Sequence, residues 1–288
     1  MWQTNHVRDI LTHRGHTVEI FHVKTIGDLQ TDQPLHQLGA QGIFTKALDD
    51  ALLNEEADIA VHSAKDIPSR LPEGLELIAL LEREDPRDVL LAIREDVDLD
   101  NLSAEFTIGT SSMRRMALLA HYVPHFKAQS IRGNVDTRVA KLEAGEYDAL
   151  LLAHAGVKRM GYAHLVRRKL NPATFTPAVG QGAIAVVARA GFLHNADVRA
   201  GLNHVETEQA VTAERAYLRK MEGGCHAAVF ALATVVGNAV SIQGGVAAQD
   251  GGLILREQVQ GPADQAAQLG ESLADLIINL GGRKILNG

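Results

Sequence analysis

The chain has 288 residues, 46% of them hydrophobic, 22% charged and 4% aromatic, with one cysteine and a formal net charge of −7. That length accommodates two or three domains, and the balance is that of a globular protein with a sizeable core. The acidic balance and the scarcity of aromatic rings argue against nucleic acid or an anionic membrane as partner, and a single cysteine excludes a disulfide framework and a Cys-rich zinc site. No apolar run approaches the roughly 18–20 residues of a membrane span. The first residues lack the basic-then-apolar layout of a secretion signal, so the cytoplasm is the expected compartment. Among the 13 histidines, only His121 and His125 stand at a His-x3-His spacing. Pro124 between them breaks the helix that would align the rings, so no metal site is expected.

In chain order, Val7, Ile10 and Leu11 predict a short amphipathic helix that ends at Gly15. Thr17 to Val23 is rich in β-branched residues and reads as a strand. The polar, turn-rich stretch from Thr25 to Gly39 reads as a mobile loop over a site. Ile43, Phe44, Ala47, Leu48, Ala51 and Leu52 recur at helical spacing. Ile59 to Val61 is then a short buried strand that breaks into His62, Ser63, Lys65 and Asp66, with Pro68 barring its continuation. In an open α/β sheet such a strand end faces the ligand crevice, where a carboxylate beside an ammonium can stabilise positive charge on a ligand. A surface Lys-Asp pair is the other reading of the same residues. The alternation of strand and helix argues for a mostly parallel sheet. Glu82 to Asp88, a charge run around a proline, is a candidate crossing to another domain or a solvated loop.

A second strand-helix series follows. Phe106 to Gly109 leads into Thr110-Ser111-Ser112, and Met116, Leu119 and Ala120 continue at helical spacing with Ser112 as the expected N-cap. Arg114 and Arg115 fall in the first turn, where cations oppose the helix dipole, so an anionic ligand is expected to compensate them. Lys127 to Ile131 reads as a strand, and Arg132-Gly133-Asn134 opens a helix carrying Val135, Arg138, Val139 and Leu142 that ends at Gly145. Ala149 to Leu152 is another buried strand, running into the stretch from Ala153 to Arg159. Arg114, Arg115, Arg132, Arg138 and Arg159 thus all lie at or just after strand ends. Parallel strands share one edge, so these guanidinium groups can converge on a small ligand with several carboxylates.

Pro177-Ala178-Val179-Gly180-Gln181-Gly182 reads as a flexible return crossing, with Ala183 to Val187 the strand it feeds. A helix over Asn203 to Met221, strands around Phe230, Val240 to Ile242 and Leu253 to Val259, and a last helix through Leu269 and Leu280 make a small α+β domain. Cys225 follows Gly223 and Gly224. It is either a buried small hydrophobe or a nucleophile on a loop that reaches another domain.

In these motifs the chain resembles the porphobilinogen deaminase family, also called hydroxymethylbilane synthases. The blocks that carry the likeness are Val61-His62-Ser63-Ala64-Lys65-Asp66-Ile67-Pro68, Glu82-Arg83-Glu84-Asp85-Pro86-Arg87-Asp88, Gly109-Thr110-Ser111-Ser112-Met113-Arg114-Arg115, Arg132-Gly133-Asn134-Val135, Pro177 to Gly182 and Glu222-Gly223-Gly224-Cys225. The resemblance implies two periplasmic-binding-protein-like (type II) domains with mixed, mostly parallel sheets and a small α+β C-terminal domain. The implied boundaries are 1–82 with 183–204, then 83–182, then 205–288. It implies a transferase that joins four porphobilinogen units head to tail on a dipyrromethane cofactor, releasing ammonia through a cationic azafulvene. Cys225 matches the residue that holds the cofactor through a thioether, and Asp66 the catalytic aspartate. Ser63, Lys65, Thr110, Ser111, Ser112, Arg114, Arg115, Arg132 and Gly156 match cofactor-binding positions, as Asp66 does too. Lys46, Arg132, Arg138, Arg159 and Gln181 match positions that meet the substrate. A monomer is implied.

Family members begin with a strand bearing an Arg-x-Ser pair shortly before a Trp-Gln, whereas this sequence opens at Met1-Trp2-Gln3, so a core strand and two ligand-binding side chains are expected to be absent. Gln41 stands where a lysine is common. A diverged or truncated non-catalytic homologue, or a small-anion binding protein on the same scaffold, is the alternative. It accounts for the arginines but not for Cys225 after two glycines.

Overall fold

In the computed structural model, which describes residues 1–23, 45–100, 106–125, 127–192, 194–221 and 228–287, the strands form three sheets. In chain order the strands are β1 (Ile59–Ser63), β2 (Leu75–Leu80), β3 (Asp88–Leu91), β4 (Thr107–Gly109), β5 (Lys127–Gln129) and β6 (Ala149–Ala153). There follow β7 (Val166–Lys169), β8 (Ile184–Arg189), β9 (Ala228–Val236), β10 (Ala239–Ala247) and β11 (Ile254–Pro262). The helices are α1 (Trp2–His13), α2 (Lys46–Leu53), α3 (Met113–Tyr122), α4 (Val135–Glu143), α5 (His154–Arg159), α6 (Asn195–Leu202), α7 (Val205–Met221), α8 (Ala266–Asn279) and α9 (Gly282–Asn287).

The first domain is built on the sheet β1-β8-β2, the second on β5-β4-β6-β3-β7, and the third on the meander β11-β10-β9. Helical periodicity places each apolar face as the sequence implies. Val7 and Leu11 of α1 pack with Ile78, Ile184 and Val186 on one face of the first sheet, and Leu52 of α2 with Ala60 and Ala185 on the other. Among the described residues the five-stranded sheet is mixed, whereas both ladders of the first sheet are antiparallel. β4 runs parallel to β5 and β6, whereas β8 is antiparallel to β1 and β2, and β3 to β6 and β7. β3 and β8 each enter their sheet directly from a crossing. Such strands escape the helical-connection rule that makes neighbours parallel, so the parallel share is smaller than the alternation of elements implied.

β1 runs two residues further than its apolar core, because His62 and Ser63 still pair with Ala185 and Ile184 of β8. Ladder bonds are main-chain bonds and do not require an apolar side chain. His62 falls on the buried side, and desolvation pushes its imidazole down to a pKa of about 4. Residues 17–23 join no ladder among the described residues. β1 is the outermost described strand on its side of the sheet, and β-branched composition does not make a strand without a partner. The loop expected over Thr25 to Gly39, and Gln41, lie outside the described residues.

The chain passes between the first two domains over residues 81–87 and again over 177–183, and the two passages lie side by side. Glu84 N donates to Gly182 O at 3.3 Å, Arg83 Nε to Gln181 O at 2.9 Å, and Gln181 Nε2 to Pro86 O at 2.6 Å. Gly182 has φ +93°, and a Cβ there would lie 2.4 Å from the Glu84 carbonyl oxygen. Its glycine therefore serves close approach, and with Val179 and Gln181 buried the stretch expected to be flexible is instead anchored.

α7 ties the third domain to this junction. Its Tyr217 and Met221 fill the core against the third sheet and α8, while Val211 belongs to the core of the first domain. Between these faces, Glu214 is fully buried. Its Oε1 accepts from Arg83 Nη1 at 2.6 Å and Ala233 N at 2.8 Å, and its Oε2 from Gly180 N at 2.7 Å and Arg83 Nη2 at 3.2 Å. One carboxylate thus joins both crossings to β9. Glu214→Ala strands a nearly buried guanidinium and two main-chain donors, and is expected to remove about 3–5 kcal/mol of stability in urea unfolding. A loss below about 1 kcal/mol, the range of an exposed pair, would contradict this.

Candidate active site

The first domain presents its chemistry on the 3-10 turn Ala64–Asp66, which leaves β1 at the end of its ladder. The second crossing supports that turn from behind. Ala64 N donates to Ala183 O at 3.0 Å, and Gly180, at φ +72°, approaches so closely that a Cβ would lie 2.9 Å from the Ala64 carbonyl carbon. Ala64 is buried, while Lys65 and Asp66 are exposed. Ser63 Oγ accepts a hydrogen bond from Gln3 Nε2 at 2.9 Å, which brings the start of α1 to the same place.

The second domain presents the shared edge of its parallel strands. α3 is capped as expected, with Ser112 Oγ accepting from Arg115 N at 3.4 Å, and α4 by Asn134 Oδ1 accepting from Thr137 N at 2.9 Å. Thr110 is buried in the turn between, its N–H bonded to Gln129 O at 2.8 Å. Ser111 Oγ donates to Ile131 O and so joins the turns before α3 and α4. Arg132 is half-buried ahead of α4, and Gly156 lies in α5 facing Val135.

The compensating anion for Arg114 and Arg115 is supplied by the protein. Asp88, the first residue of β3, is fully buried; its Oδ1 accepts from Arg115 Nε and Nη2 at 3.0 and 2.7 Å and from Gln181 Nε2 at 2.9 Å. Arg114 Nη1 lies 2.7 Å from its Oδ2 and also donates to Thr176 O at 2.8 Å. Arg115 Nη1 donates to Leu151 O at 3.0 Å. Burial alone would raise the Asp88 carboxyl; the two guanidinium groups outweigh it and hold the group well below the usual carboxylate range. Arg114 Nε is buried without a hydrogen-bond partner among the described residues.

Other cations lack such an anion. Lys65 is exposed, yet desolvation pulls its ammonium down, with Asp66 and Asp88 opposing and Arg115 and Arg114 adding to the effect. Desolvation lowers Arg138, whose Nε donates to Gly133 O at 2.7 Å, with Arg115 adding to the effect. It lowers Arg159 too, with Glu84 opposing; Arg159 Nη2 donates to Gly182 O at 3.0 Å, and its guanidinium lies 5.4 Å from the Trp2 ring centroid. Among the described residues none of these three has a carboxylate within ion-pair distance. Desolvated cations around an exposed carboxylate suit a ligand that bears several carboxylates and develops positive charge. This charge pattern fits a group made of carboxylated rings.

Lys46 is exposed at the start of α2 and makes no hydrogen bond or ion pair with these residues. Cys225 lies outside the described residues, shortly beyond the end of α7. His121 Nδ1 lies 2.7 Å from Gly251 O, at the contact of the second and third domains. Sequence reasoning missed Asp88, Gln3 and Trp2. Only the two arginines in a helix's first turn signalled that a buried anion was needed.

The Asp88 pair sets an acid dependence. Its folded pKa is depressed, so its contribution is complete above the unfolded carboxylate value of about 4 and is lost as pH falls through that value toward the folded one. Between about pH 5 and pH 2, stability from urea unfolding is expected to fall less steeply in Asp88→Asn than in the parent protein, and the variant is expected to be less stable at neutral pH. Parallel acid limbs would contradict the assignment.

Comparison with known proteins finds a match over residues 1–196 to the family model described as porphobilinogen deaminase, dipyromethane cofactor binding domain. Residues 208–279 match that of the porphobilinogen deaminase C-terminal domain. A relative from Desulfosudis oleivorans, named porphobilinogen deaminase, is 43% identical over 288 residues, covering 99% of this chain and 93% of the relative. Among solved structures, the VFT2 domain of Bordetella pertussis BvgS aligns with 74% of this chain and 82% of its own, at 15% identity and TM-score 0.43. The substrate binding protein of an amino acid ABC transporter aligns with 69% and 77%, at 17% identity and TM-score 0.38.

Proposed function

The chain belongs to the porphobilinogen deaminase family, and we propose that the cleft between its first two domains is the active site, with Asp66 as its catalytic carboxylate. The protein is a transferase of tetrapyrrole and haem biosynthesis. It joins four porphobilinogen molecules head to tail into linear 1-hydroxymethylbilane and releases ammonia. The observation that carries the site is the exposed Asp66 beside Lys65, set against desolvated cations of the second domain.

The chain carries the family's dipyrromethane cofactor domain. When bound, the dipyrromethane supplies the end to which substrate units are added. Cys225, the one cysteine of the chain, is the residue we assign to its thioether attachment. Ser63, Lys65, Thr110, Ser111, Ser112, Arg114, Arg115, Arg132 and Gly156 hold the cofactor. Lys46, Arg132, Arg138, Arg159 and Gln181 receive substrate. Arg114, Arg115 and Gln181 are largely engaged with Asp88, so the arginines act mainly through their positive field and Gln181 through its fixed position. Loss of ammonia leaves positive charge on the substrate carbon, and the Asp66 carboxylate stabilises it without having to reorganise. The domains are residues 1–82 with 183–204, 83–182, and 205–288. A monomeric, cytoplasmic protein accords with this reading; no helix among the described residues is long and apolar enough to cross a membrane.

The intact denatured mass is expected to exceed the sequence mass by one dipyrromethane, and Cys225→Ser is expected to lack the increment. An unmodified parent protein would refute the covalent assignment. Asp66→Ala is expected to keep the fold while porphobilinogen turnover falls at least about 100-fold, on the scale of removing one preorganised electrostatic group. Turnover within a few-fold of the parent would remove Asp66 from the mechanism.

A further inference from the structure

Arg215 is a nearly buried cation on α7 with no carboxylate within ion-pair distance among the described residues. Its Nη2 donates instead to two main-chain carbonyls of the first domain, Pro68 O at 2.8 Å and Ser69 O at 3.2 Å. Burying a guanidinium against neutral acceptors alone is unfavourable, and desolvation, with Arg219 adding, pushes this one down to a pKa of about 10. The carbonyls it holds follow directly on the turn that carries Lys65 and Asp66. On the other flank of that turn, the neighbouring Glu214 holds Gly180, whose backbone is packed against Ala64. Adjacent residues of one third-domain helix therefore brace both flanks of a first-domain turn. The same helix ends at Met221, just before the segment that carries Cys225.

We infer that Arg215 is a positioning residue for the reaction: by holding the Pro68 and Ser69 carbonyls it fixes the Lys65–Asp66 turn at a set distance from the third domain. The inference rests on Asp66 as the catalytic carboxylate and gives the third domain a part in catalysis besides carrying the cysteine. A bracing group of this kind acts on orbital and charge alignment at the reacting carbon, so it governs kcat, whereas substrate carboxylates are held elsewhere and KM is little affected.

The test compares Arg215→Met, Arg215→Lys and the parent protein by intact mass, porphobilinogen kinetics and hydrogen exchange over residues 64–70. Arg215→Met is expected to keep the mass increment and to lower kcat by about 10- to 100-fold, with KM within about 2-fold. Amide exchange over 64–70 is expected to quicken by at least about 10-fold, with the third-sheet strands unchanged. Arg215→Lys, which can still reach one carbonyl, is expected to fall between the two on both readouts. Parent-like kcat and exchange in a folded, cofactor-loaded Arg215→Met would overturn the inference, as would a loss confined to KM. Where Arg215→Met does not fold, Arg215→Gln is judged on the same criteria. Should Asp66→Ala turn over normally, the assignment of Asp66 fails, while the exchange data still decide whether Arg215 holds the turn.

Discussion

The molecule turns on one buried carboxylate. Glu214 accepts four hydrogen bonds, from Arg83 on the first crossing, Gly180 on the second, and Ala233 of the third sheet. A charge so deeply buried is tolerable only when its lone pairs are satisfied, and here each donor comes from a separate part of the chain. The three domains consequently meet at a fixed junction. Gly182 and Gly180 then allow the backbones to approach where any Cβ would collide with Glu84 or Ala64.

A second buried carboxylate organises the chemistry. Asp88 fixes Arg114, Arg115 and Gln181 at the edge where β4 and β6 end, and it neutralises part of the charge of the two arginines. Among the described residues Lys65, Arg138 and Arg159 have no carboxylate within ion-pair distance, and desolvation lowers all three. In the reading proposed above, that imbalance suits the cleft to a polycarboxylated chain in a protein whose net charge is −7. Asp66 enters this positive surround from the opposite domain, carried on a turn that neither domain holds alone.

Much of this was legible in the residues. Helical spacing gave α1 through Val7 and Leu11, and Ser112 caps α3 as its side chain requires. Short buried strands were harder. β3, with Val89, Leu90 and Leu91 fully buried, is too brief to carry a period, and 17–23 had strand composition without a strand to pair with. The two arginines in the first turn of α3 led to the expectation of an anionic ligand, whereas Asp88, from a strand 27 residues before Arg115, supplies the anion, and nothing local could have said so.

The sequence by itself determined the amphipathic helices, the cap at Ser112, the family, and the residue types that can do the chemistry, because periodicity, capping and motif spacing are local properties. Only the tertiary structure decided which carboxylates are spent inside the protein. Asp88 and Glu214 meet partners up to 131 residues away in the chain. It also decided that Arg215 spends its charge on the carbonyls beside Asp66. Desolvation and pairing depend on what the fold brings alongside a group, and no stretch of sequence contains that information.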